Sequence, residues 1–182
     1  MGSASRAGAD PPRELVYSAG MSAQGTVVLR PATAADAEAV AGIWRQGWRD
    51  AHLGNVPGAL ADARTPESFS TRAAERVGDT VVAVAGDEVA GFVMVSGDEV
   101  EQVYVAAHHR GTAVATVLLA EAERLVREHG HGEAWLAVVA GNGRARRFYE
   151  RQGWTDDGPF DYQASGPSGP IAVPSRRYVK RV

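Results

Sequence analysis

Apolar positions along this chain keep one of two periods, and each change of period marks a new element. "TVVLRP" (26–31) is a short β-branched strand stopped by Pro31. The next stretch, "TAADAEAVAGIWRQGWRDAHL", spaces Thr33 and Asp36 like a capping box. It then repeats Val40, Ile43, Trp44, Gly47, Trp48 and Ala51 at helical intervals. "GNVPG" (54–58) breaks that helix, and 59–77 reads as a second, more irregular helical segment interrupted at Thr65-Pro66. The centre turns strand-like. "TVVAVAG" (80–86), "VAGFVMVS" (89–96) and "EVEQVYVA" (99–106) are joined by hairpin-type turns, so an antiparallel meander is expected. A long helix over about 112–129 puts Val114, Val117, Leu118, Leu125 and Val126 on one stripe and stops at His129-Gly130. "EAWLAVVA" (133–140) is almost continuously apolar, the pattern of a strand covered on both faces beside a parallel neighbour. A short helix at "NGRARRFYERQG" and a last strand at "RRYVKRV" follow. Strand 99–106, helix and strand 133–140 make a βαβ crossover, whose ligand side lies at the carboxyl ends of the strands.

Two stretches resist this reading. Residues 1–24, rich in Ala, Gly, Ser and Pro, are expected to be a flexible arm ahead of a single domain over 25–182, with Met21 a candidate natural start. "DDGPFDYQASGPSGPIAVPS" (156–175) is a long Gly/Pro/Ser connection with no legible period, either folded over a cleft or mobile.

Composition narrows the class. At 182 residues, 45% hydrophobic and 23% charged, the chain suits one globular domain that buries about 70% of its unfolded surface. A net charge of −3 gives no global attraction for nucleic acid or an anionic membrane. With no cysteine, disulfides, thiolate metal sites and a covalent cysteine intermediate are all excluded. No apolar run nears the roughly 20 residues that span a bilayer, and the first residues lack the apolar core of a signal peptide. Arg6 also replaces the Ser or Thr of a myristoylation signal. A cytoplasmic location is expected.

The candidate chemistry begins at "HRGTAVA" (109–115), where a strand gives way to a helix through small side chains. Free N–H groups at a helix start, aided by its dipole, favour phosphate oxygens, and small residues let phosphate reach the main chain. Alone, such a turn is as readily a compact connection with a surface arginine. A second segment lifts it. "VYV-AAHH-RGTAVA" resembles the central motif of the GNAT superfamily of N-acetyltransferases, Arg/Gln-x-x-Gly-x-Gly/Ala after a strand. "NGRARRFYERQGW" (142–154) is similar to its companion motif, Asn-x-x-Ala-x-x-Phe-Tyr-x-x-x-Gly-Phe/Trp. The resemblance covers residues 26 to about 155, and the order β-α-α-β-β-β-α-β-α-β-β agrees with it.

The resemblance implies an α/β (α+β) GNAT fold, a central mixed sheet of six to seven strands flanked by about four helices. It also implies acetyl-coenzyme A as co-substrate and no metal. The acceptor would be a primary amine of a small molecule or protein, with transfer direct in a ternary complex. Val103, Tyr104 and Val105 would offer main-chain groups to the pantetheine arm. Arg110, Gly111, Thr112, Ala113, Val114 and Ala115 would wrap the pyrophosphate. Asn142, Ala145 and Phe148 would border the cofactor, and Tyr149 would protonate the leaving thiolate. Glu99 falls where several relatives carry a general base, and Glu101 shares its face of the strand. Trp44, Trp48 and His52 sit on the helix that often lines the acceptor pocket in this family. Dimers are frequent among relatives, which leaves a homodimer open.

Bland alternatives stand beside each assignment. Tyr149 can be a half-buried helix aromatic, Glu99 a turn residue, Glu101 a solvated strand face, and Trp44 and Trp48 core. Arg144, Arg146, Arg147 and Arg151 can attract the coenzyme's 3′-phosphate or form an exposed helix face. His108, His109, His129 and His131 show neither the spacing nor the carboxylate partners of a zinc site. The rival class is a non-catalytic acyl-coenzyme A sensor or interaction module, and Ala113 is its discriminating residue. Active relatives usually keep glycine there, and a positive φ would cost alanine about 1 kcal/mol. A nucleic-acid binder using the arginine cluster is disfavoured by the negative net charge.

Overall fold

A computed structural model of the chain describes residues 15–17 and 26–182. Its strands form one sheet in the order β1-β2-β3-β4-β5-β6-β8-β7. They run β1 (Leu15–Tyr17), β2 (Val27–Pro31), β3 (Thr80–Ala85), β4 (Glu88–Ser96), β5 (Glu99–Val105), β6 (Glu133–Val139), β7 (Thr155–Gly166) and β8 (Gly169–Arg181). Five helices accompany them: α1 (Ala37–His52), α2 (Gly58–Ala63), α3 (Pro66–Glu75), α4 (Val114–Glu128) and α5 (Gly143–Arg151). The mixed sheet and its flanking helices are those anticipated, the three-residue β1 being an added edge. β1 pairs antiparallel with β2 inside the stretch expected to be an arm, and the rest of that stretch lies outside the described residues.

The strands in the centre are apolar throughout because both faces of the sheet are covered. Along β4, Val93 and Val95 point to the face that carries α4, with its Leu118, Leu119, Ala122 and Val126. Phe92 and Met94 point to the opposite face, against Val40, Trp44 and Phe69 of α1 and α3. Each such buried side chain contributes about 1.5–3 kcal/mol of transfer free energy. Helix α1 is launched by the expected capping pair: the Asp36 carboxylate accepts from the Thr33 N–H at 2.7 Å and from both Arg30 terminal nitrogens. Thr65 caps α3 through its hydroxyl, with Pro66 in the first helical turn, which explains the interruption seen in the sequence.

The unreadable connection at 156–175 is ordered as the long antiparallel hairpin of β7 and β8. Its prolines hide the strands without preventing them. β6 pairs with β8 only from Ser175 onward, so Pro170 and Pro174 lie beyond the end of β6, and β7 is an edge strand.

The joint between β5 and β6 positions the site. These strands are parallel, yet they share a single register pair, Glu99 with Trp135, and then separate. Ala106 donates its N–H to Ala90 on β4, so strand alternation turns the main-chain groups of Val103 and Val105 the other way, into the gap.

Candidate active site

At the carboxyl ends of the central strands a cleft of about 720 Å³ opens between the splayed β5 and β6, bordered by α1, α4, α5 and the β7–β8 hairpin. The turn that ends β5 forms one wall. Ala107–His109 makes a single 3-10 turn, Arg110 is extended, and Gly111 takes φ +82°, the left-handed conformation that suits glycine. Ala113 has φ −72° and ψ −9°, an ordinary right-handed geometry at the start of α4, so its methyl imposes no backbone strain. The first helical bond runs from the Val117 N–H to the Ala113 carbonyl. The N–H groups of Gly111, Ala113, Ala115 and Thr116 consequently have no acceptor among the described residues. Four such donors with a helix dipole behind them fit a pyrophosphate.

Arg110 does not reach outward from this loop. Its guanidinium pairs with Asp50 of α1 at 2.7 Å, and its Nε lies 3.4 Å from the Val105 carbonyl, tying loop, strand and helix together. Val114 departs from expectation: its N–H is taken by the Thr112 hydroxyl at 3.3 Å and its side chain is buried against α4's core face. Thr116, which the sequence reading passed over, lines the cleft in its place. A closer look at the first turn of the helix, where N–H groups are always unpaired, would have found it.

Across the gap, the Asn142 side chain caps α5 by accepting from the Ala145 N–H at 3.1 Å, and Ala145 and Phe148 continue the wall. Tyr149 follows on the same helix, its ring against Phe148, Trp154 and Tyr178. Burial pushes its phenol up, so the hydroxyl stays protonated. No group among the described residues hydrogen-bonds that hydroxyl, and the residue faces the cleft. The arginine cluster divides. Arg146 turns to the Tyr178 hydroxyl and Asp156, whereas Arg144 and Arg151 border the cleft.

The two candidate carboxylates occupy the far end and differ sharply. Glu101 is committed to an ion pair with Arg76 at 2.7 Å, and Arg76 also holds Asp79. Glu99 has no ion-pair partner among the described residues. Burial raises its pKa, with the Tyr162 hydroxyl beside it offsetting part of the effect and the nearby Glu101 and Asp98 adding to it. A carboxylate raised in this way is a stronger proton acceptor in its ionised form.

Of the three acceptor-pocket candidates, Trp44 is 1% exposed and forms the floor, packed edge-on to Phe69 and Phe92. His52 stacks flat on Trp48 at 5.0 Å, its Nδ1 against the Trp48 carbonyl, and burial lowers its pKa. It is therefore a neutral ring that donates from Nδ1. Gly47 lies between these tryptophans because the Tyr104 ring packs there: an added Cβ would sit 2.3 Å from that ring. The sequence reading missed Arg64, Arg72 and Tyr162, which line the same end. No local pattern marks them, since they come from α2's end, α3 and β7.

One histidine expectation is corrected. His108 and His109 do have a carboxylate partner, Glu88, whose Oε1 lies 2.9 and 2.7 Å from their Nε2 atoms. The three ligating groups fall within 4.8 Å of one another on the outer surface. Glu88 is 20 positions away and joins them only through the β4–β5 pairing.

Comparison with known proteins agrees with this geometry. Residues 43–154 match the model of the acetyltransferase (GNAT) family. The chain is 38% identical over 103 residues to a streptothricin acetyltransferase of Streptomyces lavendulae, a match covering 52% of this chain and 54% of that protein. The chain thus spans about half the length of that relative. Among solved structures, a GCN5-related N-acetyltransferase from Rhodopseudomonas palustris superposes with TM-score 0.68 at 20% identity, over 90% of this chain and all of that one. The PaiA N-acetyltransferase of Thermoplasma acidophilum, in complex with coenzyme A, gives 0.64 at 16%, over 86% and 99%. YncA of Salmonella typhimurium, solved with acetyl-coenzyme A, gives 0.62 at 18%, over 86% and 94%. No helix among the described residues is long and apolar enough to cross a membrane.

Proposed function

The chain belongs to the GNAT acetyltransferase family, and on that premise we propose that it is an N-acetyltransferase moving the acetyl group of acetyl-coenzyme A directly to a primary amine. The observation that carries this reading is the acceptorless amides of Gly111, Ala115 and Thr116, with that of Ala113 between them, at one end of a cleft whose other end holds a carboxylate, Glu99, with no ion-pair partner among the described residues.

Acetyl-coenzyme A, when bound, supplies the acetyl thioester. The acceptorless amides of the 111–116 loop hold its pyrophosphate, and the main-chain groups of Val103 with the N–H of Val105, turned into the gap by the splay of β5 from β6, take its pantetheine arm. An acceptor amine is almost wholly protonated at neutral pH and needs a base. Glu99 takes that proton, because its carboxylate is unpaired and raised by burial, whereas Glu101 is held by Arg76. As the new C–N bond forms and the C–S bond breaks, the Tyr149 hydroxyl gives its proton to the departing sulfur.

Isothermal titration with acetyl-coenzyme A tests the reading directly. Binding at micromolar to millimolar ligand is expected, and no heat at millimolar concentration rejects it. A thiol-release assay over a panel of amines separates the enzyme from a non-catalytic acyl-coenzyme A sensor.

A further inference from the structure

The acceptor end of the cleft is lined by three arginines, of which only Arg76 forms an ion pair among the described residues. Arg64, at the end of α2, donates from Nη2 to the Ser165 carbonyl at 3.0 Å, while its Nε is buried with no acceptor. Arg72, on α3, lies over the Trp44 ring at 4.7 Å. Neither guanidinium has a carboxylate oxygen within 4.0 Å among the described residues. The nearest candidate, Glu101, is already paired with Arg76.

Each of these cations is disfavoured where it stands. Burial and the charge of Arg72 bring Arg64 down to about 10, and burial together with Arg76 lowers Arg72, against the attraction of Glu101. Both nonetheless remain charged at neutral pH. Two adjacent, half-buried guanidinium groups bordering a cavity, neither with a carboxylate partner among the described residues, favour an incoming anion. The arginines also border a second, shallower cavity of about 590 Å³ under the hairpin tip at Ser165, Gly166 and Pro167.

Glu99 has no ion-pair partner among the described residues and adjoins Tyr162 and through it Arg72, while the exposed Asp62 borders the second cavity. The end of the cleft therefore has a carboxylate for an ammonium group and two guanidinium groups for an oxyanion. That is the complement of a small zwitterion. A cationic polyamine or a neutral amine would leave Arg64 and Arg72 unanswered.

We propose that the acetyl acceptor is a small amine bearing a carboxylate or similar oxyanion, held by Arg64 and Arg72 while its amino group faces Glu99. This rests on the acetyltransferase reading above and adds the substrate class. Donors placed to bind an oxyanion discriminate against an analogue without it, because they are then left unpaired.

Thiol release is measured with matched acceptors: glycine, methionine, phenylalanine and glutamate, each against its carboxamide. The carboxylate forms are expected to show kcat/KM higher by about tenfold or more. In Arg72→Gln and Arg64→Gln that ratio should fall toward one, chiefly through the KM of the carboxylate acceptor. Carboxamides accepted equally well or better, or a ratio that survives both substitutions, overturn the proposal. A second measurement needs neither turnover nor a folded variant. N-acetylglycine titrated into the 15N-labelled protein should move the Arg64 Nε–H resonance, and N-acetylglycinamide should not. If no amine is acetylated, or the variants do not fold, the absence of that shift overturns the proposal. Titration with acetyl-coenzyme A on the same preparation keeps the two readings apart: failure there rejects the acetyltransferase, whereas binding with no response to carboxylate rejects the zwitterion alone.

Discussion

The two ends of the cleft are made of different material. The proposed coenzyme end is main chain: a run of residues, 110–116, in which four amides are left without an acceptor by one left-handed glycine and the start of a helix. The acceptor end is side chain: Arg64, Arg72, Glu99, Glu101 and Tyr162, drawn from two helices and two strands, with Arg64 meeting Ser165 across 101 positions. A main-chain site tolerates many sequences as long as the φ and ψ angles survive, so it is shared widely among proteins that use one cofactor. A side-chain site can be changed one residue at a time, so it is where acceptors diverge.

Substitutions should divide along the same line. The largest effect is expected from Glu99→Gln, which removes the base while leaving the coenzyme end intact. Turnover should fall by about 10²–10⁴ with acetyl-coenzyme A affinity unchanged, as followed by thiol release and calorimetry. The carboxylate must be ionised to act, and burial raises its pKa. Wild-type activity should therefore decline as pH falls through a point above the ordinary glutamate value of about 4.3, and that acidic limb should be absent in the variant. Glu101→Gln should keep the limb.

Tyr149→Phe comes next, with a drop in turnover of about 10² and little change in coenzyme affinity. Equal turnover in the two proteins would remove Tyr149 from the proton-donor role and leave it a packing residue beside Trp154. A main-chain lesion should have the opposite signature. Gly111→Val places a β-branched residue at φ +82°, a conformation costing about 1–2 kcal/mol, so acetyl-coenzyme A should bind about tenfold more weakly. The residual turnover at saturating ligand should be close to wild type. The smallest effect is expected at Ala113→Gly. Because φ there is −72°, restoring glycine relieves no strain, and calorimetry should find affinity within about twofold of wild type. A large gain would mean that the alanine methyl crowds the phosphate, and the loop would then be less purely a main-chain site than its geometry indicates.

Much of this was legible before any coordinates. The helices at 37–52 and 114–128 announced themselves by apolar stripes and caps, and the central strands by unbroken apolar runs. The paired motifs at 109–115 and 142–154 both border the one cleft between β5 and β6. The hairpin of β7 and β8 was not legible, because its prolines and glycines read as a loop wherever one cannot know that the strand has a free edge. The contrast between Glu99 and Glu101 was equally hidden. Two residues apart on one strand, they are indistinguishable in sequence, and only the fold brings Arg76 to the second and Tyr162 to the first.

What the sequence determined by itself is whatever depends on neighbours along the chain: periodicity, caps, the glycine at 111, and hence a loop of unpaired amides. Hydrogen bonds and dihedral preferences act over a few residues and leave their mark locally. What the tertiary structure decided is everything that depends on proximity in space. It separated β5 from β6 beyond a single register pair, and among the described residues it left Glu99, Arg64 and Arg72 without an ion-pair partner. Charge interacts through distance and burial, and neither is written in the order of residues.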